Sequence, residues 1–267
     1  MRSDPWEMGD AYEPYIGRWS RLVAREFLAW LSIPSDARWL DVGCGTGALT
    51  QTILATGSPT EIDAVDSSAD YVDFARDRVT DSRVRFAVAD ARHLPPALHD
   101  VDATVSGLML NFVPEPELAV AEMARATRSG GTVAVYLWDY AEGMQLIRYF
   151  WDAAVAIDPR ARELDEGHRF PICNPVALEK LFRDTGLRDV ESRAIDVPTR
   201  FTDFEDYWRP FLGGQGPAPG YAMRLDDQER ATLRDHLRAH LPIAPDGSID
   251  LVARAWAVRG TRPASDS

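Results

Sequence analysis

The residues with the clearest chemical potential lie in one glycine-rich segment, residues 39–50, which reads WLDVGCGTGALT. An apolar run leads into Gly43, Gly45 and Gly47, and a helical pattern follows. Glycine has no Cβ and tolerates a positive φ, so such a turn lets the backbone approach a ligand closely. Asp41 precedes the first glycine by two residues, where a carboxylate would repel phosphate and attract a cation. The segment predicts a site for a nucleoside that has positive groups and no phosphate.

The glycine spacing separates this segment from two nucleotide-binding motifs. It follows G-x-G-x-G, whereas the turn that binds dinucleotides follows G-x-G-x-x-G. The G-K-[ST] ending of phosphate-cradling loops is also missing, which excludes that loop. A nicotinamide oxidoreductase is therefore disfavoured. Cys44 lies inside the turn and is expected to pack there as a small residue.

Two further acids follow the next two predicted strands. Asp66 directly follows the strand predicted at 61–65, and Asp90 lies two residues after the strand predicted at 84–88. Ligands of open α/β sheets bind outside the carboxyl ends of the strands, so we expect Asp41, Asp66 and Asp90 to lie at one edge. Asp66 has two compatible roles: it can accept hydrogen bonds from ribose hydroxyls, and it can cap the helix predicted from Ser67.

The elements that must position these acids alternate regularly between strand and helix over the first half of the chain. Predicted strands cover residues 38–42, 61–65, 84–88, 102–106, 132–138, 189–197 and 251–258, and predicted helices cover 47–55, 67–79, 115–128, 145–157, 174–185 and 226–241. A polar connection is predicted at 158–171. This alternation is typical of a doubly wound parallel sheet in an α/β fold.

The organisation predicted is a single domain of 267 residues. Residues 1–32 are predicted as an N-terminal helical lid and residues 33–200 as the core. The stretch between the last two strands is too long for a hairpin, so residues 201–245 are predicted to form a helical cap. Residues 246–267 would supply the final strand and a tail.

Composition restricts the partners. The formal net charge is -13 and the sequence pI is about 4.8, which argues against a nucleic acid or an anionic membrane surface as partner. No apolar run has the length of a signal peptide or a membrane span, so a cytoplasmic protein is expected. The two cysteines suggest no disulfide framework. His236 and His240 share a helix face, but the glutamate of H-E-x-x-H is missing and no metal is expected.

With these motifs in place, the chain resembles class I S-adenosylmethionine (SAM)-dependent methyltransferases, specifically the small-molecule subgroup that includes ubiquinone/menaquinone-type enzymes. The resemblance rests on residues 40–47, 64–66, 89–91, 106–112 and 129–131. It implies a Rossmann-like, seven-stranded, mostly parallel sheet whose last strand is antiparallel. It also implies SAM as cofactor and S-adenosylhomocysteine as product. The residues assigned to the cofactor are Arg18, Asp41, Gly43, Cys44, Gly45, Gly47, Asp66, Ser67, Asp90, Ala91 and Ser106.

The resemblance implies roles for three parts of the site. The amides of residues 43–47 would bracket the methionine portion, Asp66 would take the ribose hydroxyls, and Asp90 would take the adenine amino group. Arg18, in the N-terminal lid, could clamp a ligand carboxylate through both guanidinium nitrogens.

The methyl acceptor is predicted to be an uncharged or apolar small molecule. The residues assigned to it are Tyr12, Tyr15, Trp19, Asn111, Trp138, Trp208, Phe211 and Tyr221. No dedicated base motif is present, and His168, Tyr15 and Asn111 are the catalytic candidates. A helical stripe of aromatic residues, such as the one in the cap, is more often a packed core than a binding site. The alternative function is a SAM-binding protein with a regulatory or non-methyl-transfer role. Either a monomer or a homodimer is expected.

Overall fold

The structure, a computed structural model, describes residues 17–213 and 216–264. These residues fall into two compact units. The sheet unit comprises residues 20–137, 172–195 and 256–264, and the helical unit comprises 17–19, 138–171, 196–213 and 216–255. Tyr12, Tyr15 and the side chain of Arg18 lie outside what is described, so the predictions made for them stay predictions.

Seven strands form one sheet in the order β3-β2-β1-β4-β5-β7-β6, mostly parallel with one antiparallel edge. The strands are β1 (Arg38–Val42), β2 (Glu61–Asp66), β3 (Val84–Val88), β4 (Val101–Gly107), β5 (Thr127–Trp138), β6 (Arg188–Phe201) and β7 (Ile249–Thr261). The predicted α/β fold and its seven-stranded sheet are confirmed. Four consecutive residues are buried in each of β1 and β2, as expected for strands that are covered on both sides.

The strand order reverses between β1 and β4. Asp41 of β1 pairs with Val105 of β4 on one side and with Ala64 of β2 on the other, all in parallel. The carboxyl ends of these three strands therefore meet at the point of reversal, which is where open α/β sheets bind ligands.

The helices are numbered in chain order. They are α1 (Arg18–Leu31), α2 (Ala48–Thr56), α3 (Ala69–Arg78), α4 (Pro116–Ala126), α5 (Gln145–Ile157), α6 (Glu166–Arg169), α7 (Pro175–Asp184), α8 (Phe204–Trp208), α9 (Pro217–Arg224) and α10 (Asp227–His240). Short 3-10 turns cover Leu110–Phe112, Pro159–Glu163 and Arg209–Gly213. Asn174 caps α7 by accepting a 2.9 Å hydrogen bond from the Ala177 N–H.

Two boundaries differ from the prediction around the glycines at 130 and 131. Helix α4 ends at Ala126, and β5 begins at Thr127 instead of Thr132. Thr127 has an extended backbone (φ -78°, ψ 140°), which ends the helix, and it pairs with Val101 of β4. Its buried hydroxyl donates to the Met123 carbonyl at 2.8 Å. The glycines therefore form an irregularity within the strand instead of a stop after the helix.

The prediction of a polar connection at 158–171 is wrong in one respect, because this stretch contains a buried turn of helix. Glu166 is 2% exposed at the start of α6 and accepts a hydrogen bond from Trp151 Nε1. Asp165, directly before it, caps α6 and forms a fork-like pair with Arg148, at 2.7 and 2.9 Å. Charge pattern alone could not separate these buried acids from solvated ones.

An aromatic cluster organises the helical unit. Phe211 is fully buried and stacks on Phe150 with the ring centroids 4.5 Å apart. Tyr207 is also fully buried, and its hydroxyl donates to the Leu146 carbonyl at 3.0 Å. The stripe of aromatic residues after residue 201 is thus packed as a core. Among the described residues, none of the helices is long and apolar enough to cross a membrane.

Candidate cofactor site

The glycine turn joins β1 to α2 through three residues with positive φ. Gly43, Gly45 and Gly47 have φ values of 75°, 50° and 83°. A Cβ on Gly43 would lie 2.4 Å from Met109 Cγ, whereas a Cβ on Gly45 would meet nothing within 4 Å. Gly43 is therefore required by packing as well as by backbone conformation, and Gly45 faces open space.

The amides of this turn already have partners within the protein. The Gly43 and Cys44 N–H groups donate to the Val65 carbonyl at 2.7 and 2.9 Å, and the Gly47 N–H donates to the Cys44 carbonyl at 2.8 Å. The turn therefore lets a ligand approach the backbone closely, but these three amides are not free to donate to it. The assignment of these amides to the methionine portion stays a prediction.

Asp41 carries the most unusual electrostatic environment of the site. Its side chain is fully buried at the end of β1, and burial raises its pKa from 3.8 to about 7. Asp41 Oδ2 accepts a hydrogen bond from the Thr50 hydroxyl at 2.6 Å, but Asp41 Oδ1 has no hydrogen-bond partner. A buried carboxylate oxygen without a donor is costly, so a cationic donor from a ligand would relieve a real deficit.

Asp66 links the end of β2 to the glycine turn. Its Oδ2 accepts from the Gly45 N–H at 2.9 Å, and its Oδ1 accepts from the Ser68 N–H at 2.9 Å. Burial raises the pKa of Asp66, while these amide donors oppose the shift. The helix cap itself is Ser68, whose side chain accepts from the Tyr71 N–H. Asp66 therefore fixes two backbone segments and leaves the capping of α3 to Ser68.

Asp90 follows β3 and is held by Arg92. Three donors of Arg92 reach the Asp90 carboxylate, and this pairing lowers the pKa of Asp90 to about 2. In the register of the sheet, Asp66 of β2 lies opposite Val88 of β3, and the Ala89 N–H donates to the Asp66 carbonyl at 2.9 Å. The predicted convergence of the three strand ends is therefore present in the sheet unit.

Two more buried polar atoms without partners lie near the carboxyl end of β4, one in the strand and one in the turn after it. Ser106 is fully buried and its hydroxyl has no hydrogen-bond partner, and Asn111 is 8% exposed with an unpartnered Nδ2. Ser106 directly follows Val105, the residue that pairs with Asp41. Unpaired acceptors and donors thus accompany the ends of β1 and β4, the two strands between which the order reverses.

The comparisons with known proteins agree with this geometry. Residues 40–135 match the family described as "Methyltransferase domain". This match shows similarity to a methyltransferase domain over residues 40–135. It starts at β1 and ends in β5, so this methyltransferase domain contains the glycine turn, all three acids, Ser106 and Asn111.

One similar protein is a trans-aconitate 2-methyltransferase from Mycolicibacterium gilvum. It is 36% identical over 121 residues, which cover 45% of this chain and 42% of the relative. The chain therefore matches less than half of that relative's length. A match of this length does not show the substrate of this chain.

Solved structures share the fold over most of the chain. Phosphoethanolamine N-methyltransferase 2 from Haemonchus contortus, in complex with SAM, has a TM-score of 0.58 at 16% identity and covers 96% of this chain and 56% of its own. The [4+2]-cyclase SpnF has a TM-score of 0.54 at 19% identity and covers 99% and 89%. At such identities the likeness shows the fold alone.

The residues of the methyltransferase domain fit SAM, its cofactor. SAM has an ammonium and a sulfonium and lacks phosphate, which matches a turn that has an unpaired buried carboxylate oxygen on Asp41 and no phosphate-binding lysine. Asp66 retains lone pairs for ribose hydroxyls beside its two amide donors. Ser67 is exposed, and Ala91 is half-buried in the loop after Asp90.

The remaining described residues predicted to bind the acceptor or to act in catalysis belong to the helical unit. Trp19, Trp138, Trp208, Phe211 and Tyr221 are each at most 8% exposed, and all five belong to the helical unit. His168 is exposed in α6. Their assignments to acceptor or catalysis stay predictions. No group of three or more histidine, cysteine or acidic side chains in the described part of the chain could hold a metal ion.

Sequence reasoning missed three residues that shape the site. Thr50 binds Asp41 from the first turn of α2, nine residues further along the chain, and Met109 fills the space above Gly43. Neither has a sequence signal. Arg92 could have been recognised, because an arginine two residues after an aspartate can fold back onto its carboxylate.

Proposed function

We propose that the protein transfers the methyl group of SAM to a small-molecule acceptor. The observation that carries this proposal is the unpaired, fully buried Asp41 Oδ1 next to the glycine turn, at the point where the strand order reverses. A cationic ligand satisfies that oxygen, and a phosphate-bearing one does not. The match to the methyltransferase family supports the same reaction.

The residues of the domain bind and orient in this proposal. Asp41 receives the ammonium of the cofactor, Asp66 the ribose hydroxyls and Asp90 the adenine amino group. SAM, when bound, supplies a methyl group on a sulfonium that leaves by in-line displacement. The protein's main task is then to hold the acceptor and the donor in line.

The acceptor in our proposal bears a carboxylate whose oxygen is methylated. The trans-aconitate 2-methyltransferase of M. gilvum, with its 36% identity, supports an acidic acceptor. Asn111 supports an oxygen-bearing one, since its buried Nδ2 needs an acceptor atom. The uncharged acceptor expected from the aromatic stripe stays a prediction, and the rings of that stripe take part in packing.

A thermal-shift comparison tests the cofactor. A ligand at a hundred times its dissociation constant stabilises the folded state by ~2.7 kcal/mol. We expect S-adenosylhomocysteine to raise the melting temperature and NAD to leave it unchanged. Stabilisation by NAD and not by S-adenosylhomocysteine would refute the proposal.

A substrate panel tests the transfer. Purified protein with radiolabelled SAM is offered trans-aconitate, other di- and tricarboxylic acids, a phenol and a primary amine. We expect label on a carboxylic acid and a tenfold or greater loss of turnover in Asn111→Leu with the affinity for S-adenosylhomocysteine retained. Binding of S-adenosylhomocysteine without transfer to any compound would favour a non-methyl-transfer role, since the fold is shared with a [4+2]-cyclase.

A further inference from the structure

Arg92, in the loop after β3, makes an unusually complete set of contacts with Asp90. Its backbone N–H and its Nε donate to Asp90 Oδ1 at 2.9 and 3.1 Å, and its Nη2 donates to Asp90 Oδ2 at 2.8 Å. The guanidinium fork and the backbone thus hold both oxygens of one carboxylate. The Asp90 side chain cannot rotate without breaking three hydrogen bonds.

The same arginine connects this loop to the next one. Arg92 Nη1 donates to Glu115 Oε2 at 3.0 Å, and Glu115 directly precedes α4. The Leu94 N–H donates to Glu122 Oε2 at 2.9 Å, and Arg125 Nη2 donates to the Leu94 carbonyl at 3.2 Å. The loop that bears Asp90 is therefore attached along α4, and all of these residues lie in the sheet unit.

The number of lone pairs on Asp90 limits what else it can bind. An ionised carboxylate accepts about four hydrogen bonds, and Arg92 uses three of them, two on Oδ1 and one on Oδ2. One acceptor position remains, on Oδ2. A group that donates one N–H suits this position, and a group that presents an oxygen there meets repulsion between lone pairs.

We infer that Arg92 is a positioning residue that orients the Asp90 carboxylate so that the site accepts a purine with a 6-amino group and rejects one with a 6-oxo group. The inference rests on the proposed function, because it requires the adenine of SAM to lie against Asp90. It adds a residue that discriminates between purine bases through its hold on Asp90.

Stability alone does not explain this pairing. The side chains of Arg92 and Asp90 are 29% and 43% exposed, and exposed ion pairs contribute little to the folding free energy. The pairing lowers the pKa of Asp90 to about 2, but an aspartate with its ordinary pKa of 3.8 is already ionised at neutral pH. The contribution specific to Arg92 is therefore the fixed orientation of the two carboxylate oxygens.

Calorimetric titration with two ligands tests the inference. The ligands are S-adenosylhomocysteine and S-inosylhomocysteine, which differ in the amino or oxo group at purine position 6 and in the proton on N1 that accompanies the oxo group. The proteins are the wild type, Arg92→Ala, Arg92→Lys and the control Arg128→Ala. Arg128 also pairs with an aspartate, Asp102, but at the amino end of β4, away from the cofactor residues.

We expect the wild type and Arg128→Ala to bind S-adenosylhomocysteine about tenfold or more tightly than the inosine analogue. Arg92→Ala should lose about tenfold in affinity for the adenosine ligand and little for the inosine ligand, so that the preference disappears. Arg92→Lys retains a charge without the fork and should lie in between. Because the lysine variant makes the smaller change, it tests the inference even if Arg92→Ala does not fold.

Three results would overturn the inference: equal weakening of both ligands in the Arg92 variants, an unchanged preference in them, or no preference in the wild type. The first would assign Arg92 a purely structural role. In all three, the wild type still binds S-adenosylhomocysteine, so the proposed function stands. A wild type that binds neither ligand refutes the proposed cofactor site and this inference with it.

Discussion

The Thr50 hydroxyl donates a 2.6 Å hydrogen bond to Asp41 Oδ2, while Asp41 Oδ1, equally buried, has no partner. One oxygen of this carboxylate is therefore satisfied by α2, and the other is not. Thr50 opposes the pKa increase that burial causes at Asp41.

Replacing Thr50 should weaken cofactor binding through Asp41. In Thr50→Val the carboxylate loses its side-chain donor, its pKa rises further above 7, and we expect about tenfold weaker binding of S-adenosylhomocysteine at pH 7. Calorimetric titration measures the change. Thr52→Val is the matched control, since the Thr52 hydroxyl donates only to the Ala48 carbonyl of its own helix. Equal losses in the two variants would contradict the role assigned to Thr50.

Asp41 should make folding stability depend on pH. Its pKa is about 7 in the folded state and 3.8 in the reference state, so the folded state binds more protons between these values and loses stability as pH rises from about 4 to 7. Asp41→Asn removes this loss. We expect the variant to melt higher than the wild type at pH 8, with a difference that disappears at pH 4, in the absence of ligand.

The same substitution should have the opposite effect on binding. An ammonium favours the ionised Asp41, so wild-type affinity for S-adenosylhomocysteine should increase from pH 6 to pH 8. Asp41→Asn should bind at least tenfold more weakly at pH 8 and should lose this increase. A variant that binds as tightly as the wild type would show that Asp41 does not contact the cofactor.

Two glycines of the turn should respond differently to alanine. Both substitutions strain a positive φ, at about 1–2 kcal/mol each. Gly43→Ala adds a collision with Met109, at 2.4 Å, which should destabilise the domain by about 1–3 kcal/mol more. Urea unfolding measures the difference, and Gly45→Ala is the control for strain alone.

A double variant isolates the collision at Gly43. Gly43→Ala with Met109→Ala should be less destabilised than the sum of the two single variants, because the second change removes the colliding side chain. Additive free energies of unfolding would mean that Met109 moves aside freely and that packing does not select Gly43.

Glu166 should make the helical unit sensitive to alkaline pH. Burial raises its pKa from 4.5 to about 8, so stability falls as pH rises from about 4.5 to 8. Glu166→Gln keeps an oxygen for the Trp151 N–H and cannot ionise. We expect it to melt several degrees higher than the wild type at pH 9 and within about 1 °C of it at pH 4. A change of 1 kcal/mol in the free energy of unfolding shifts the melting temperature of a protein of this size by ~2–4 °C.

The control for this change is Glu163→Gln, at an exposed position of the adjacent 3-10 turn. It should leave the melting temperature unchanged at both pH values. A Glu166→Gln variant without a gain at pH 9, or with an equal gain at pH 4, would show that ionisation of Glu166 does not limit stability.

The sequence by itself determined the fold and the type of cofactor site. Strands β1 to β4 are found within one or two residues of their predicted bounds, since apolar runs separated by glycine and proline turns leave few alternatives. The G-x-G-x-G turn and Asp41, Asp66 and Asp90 follow directly from position, because the carboxyl ends of parallel strands share one edge of the sheet.

Tertiary structure decided how these acids differ from one another. Asp41 is fully buried with one unpaired oxygen, Asp66 is held by two backbone amides, and Asp90 is held by Arg92. Three identical side chains at three strand ends thus acquire different pKa values, because burial and donors depend on contacts distant in sequence. The aromatic residues after residue 201 became a packed core for the same reason: helical spacing defines a face, and only packing decides what covers it.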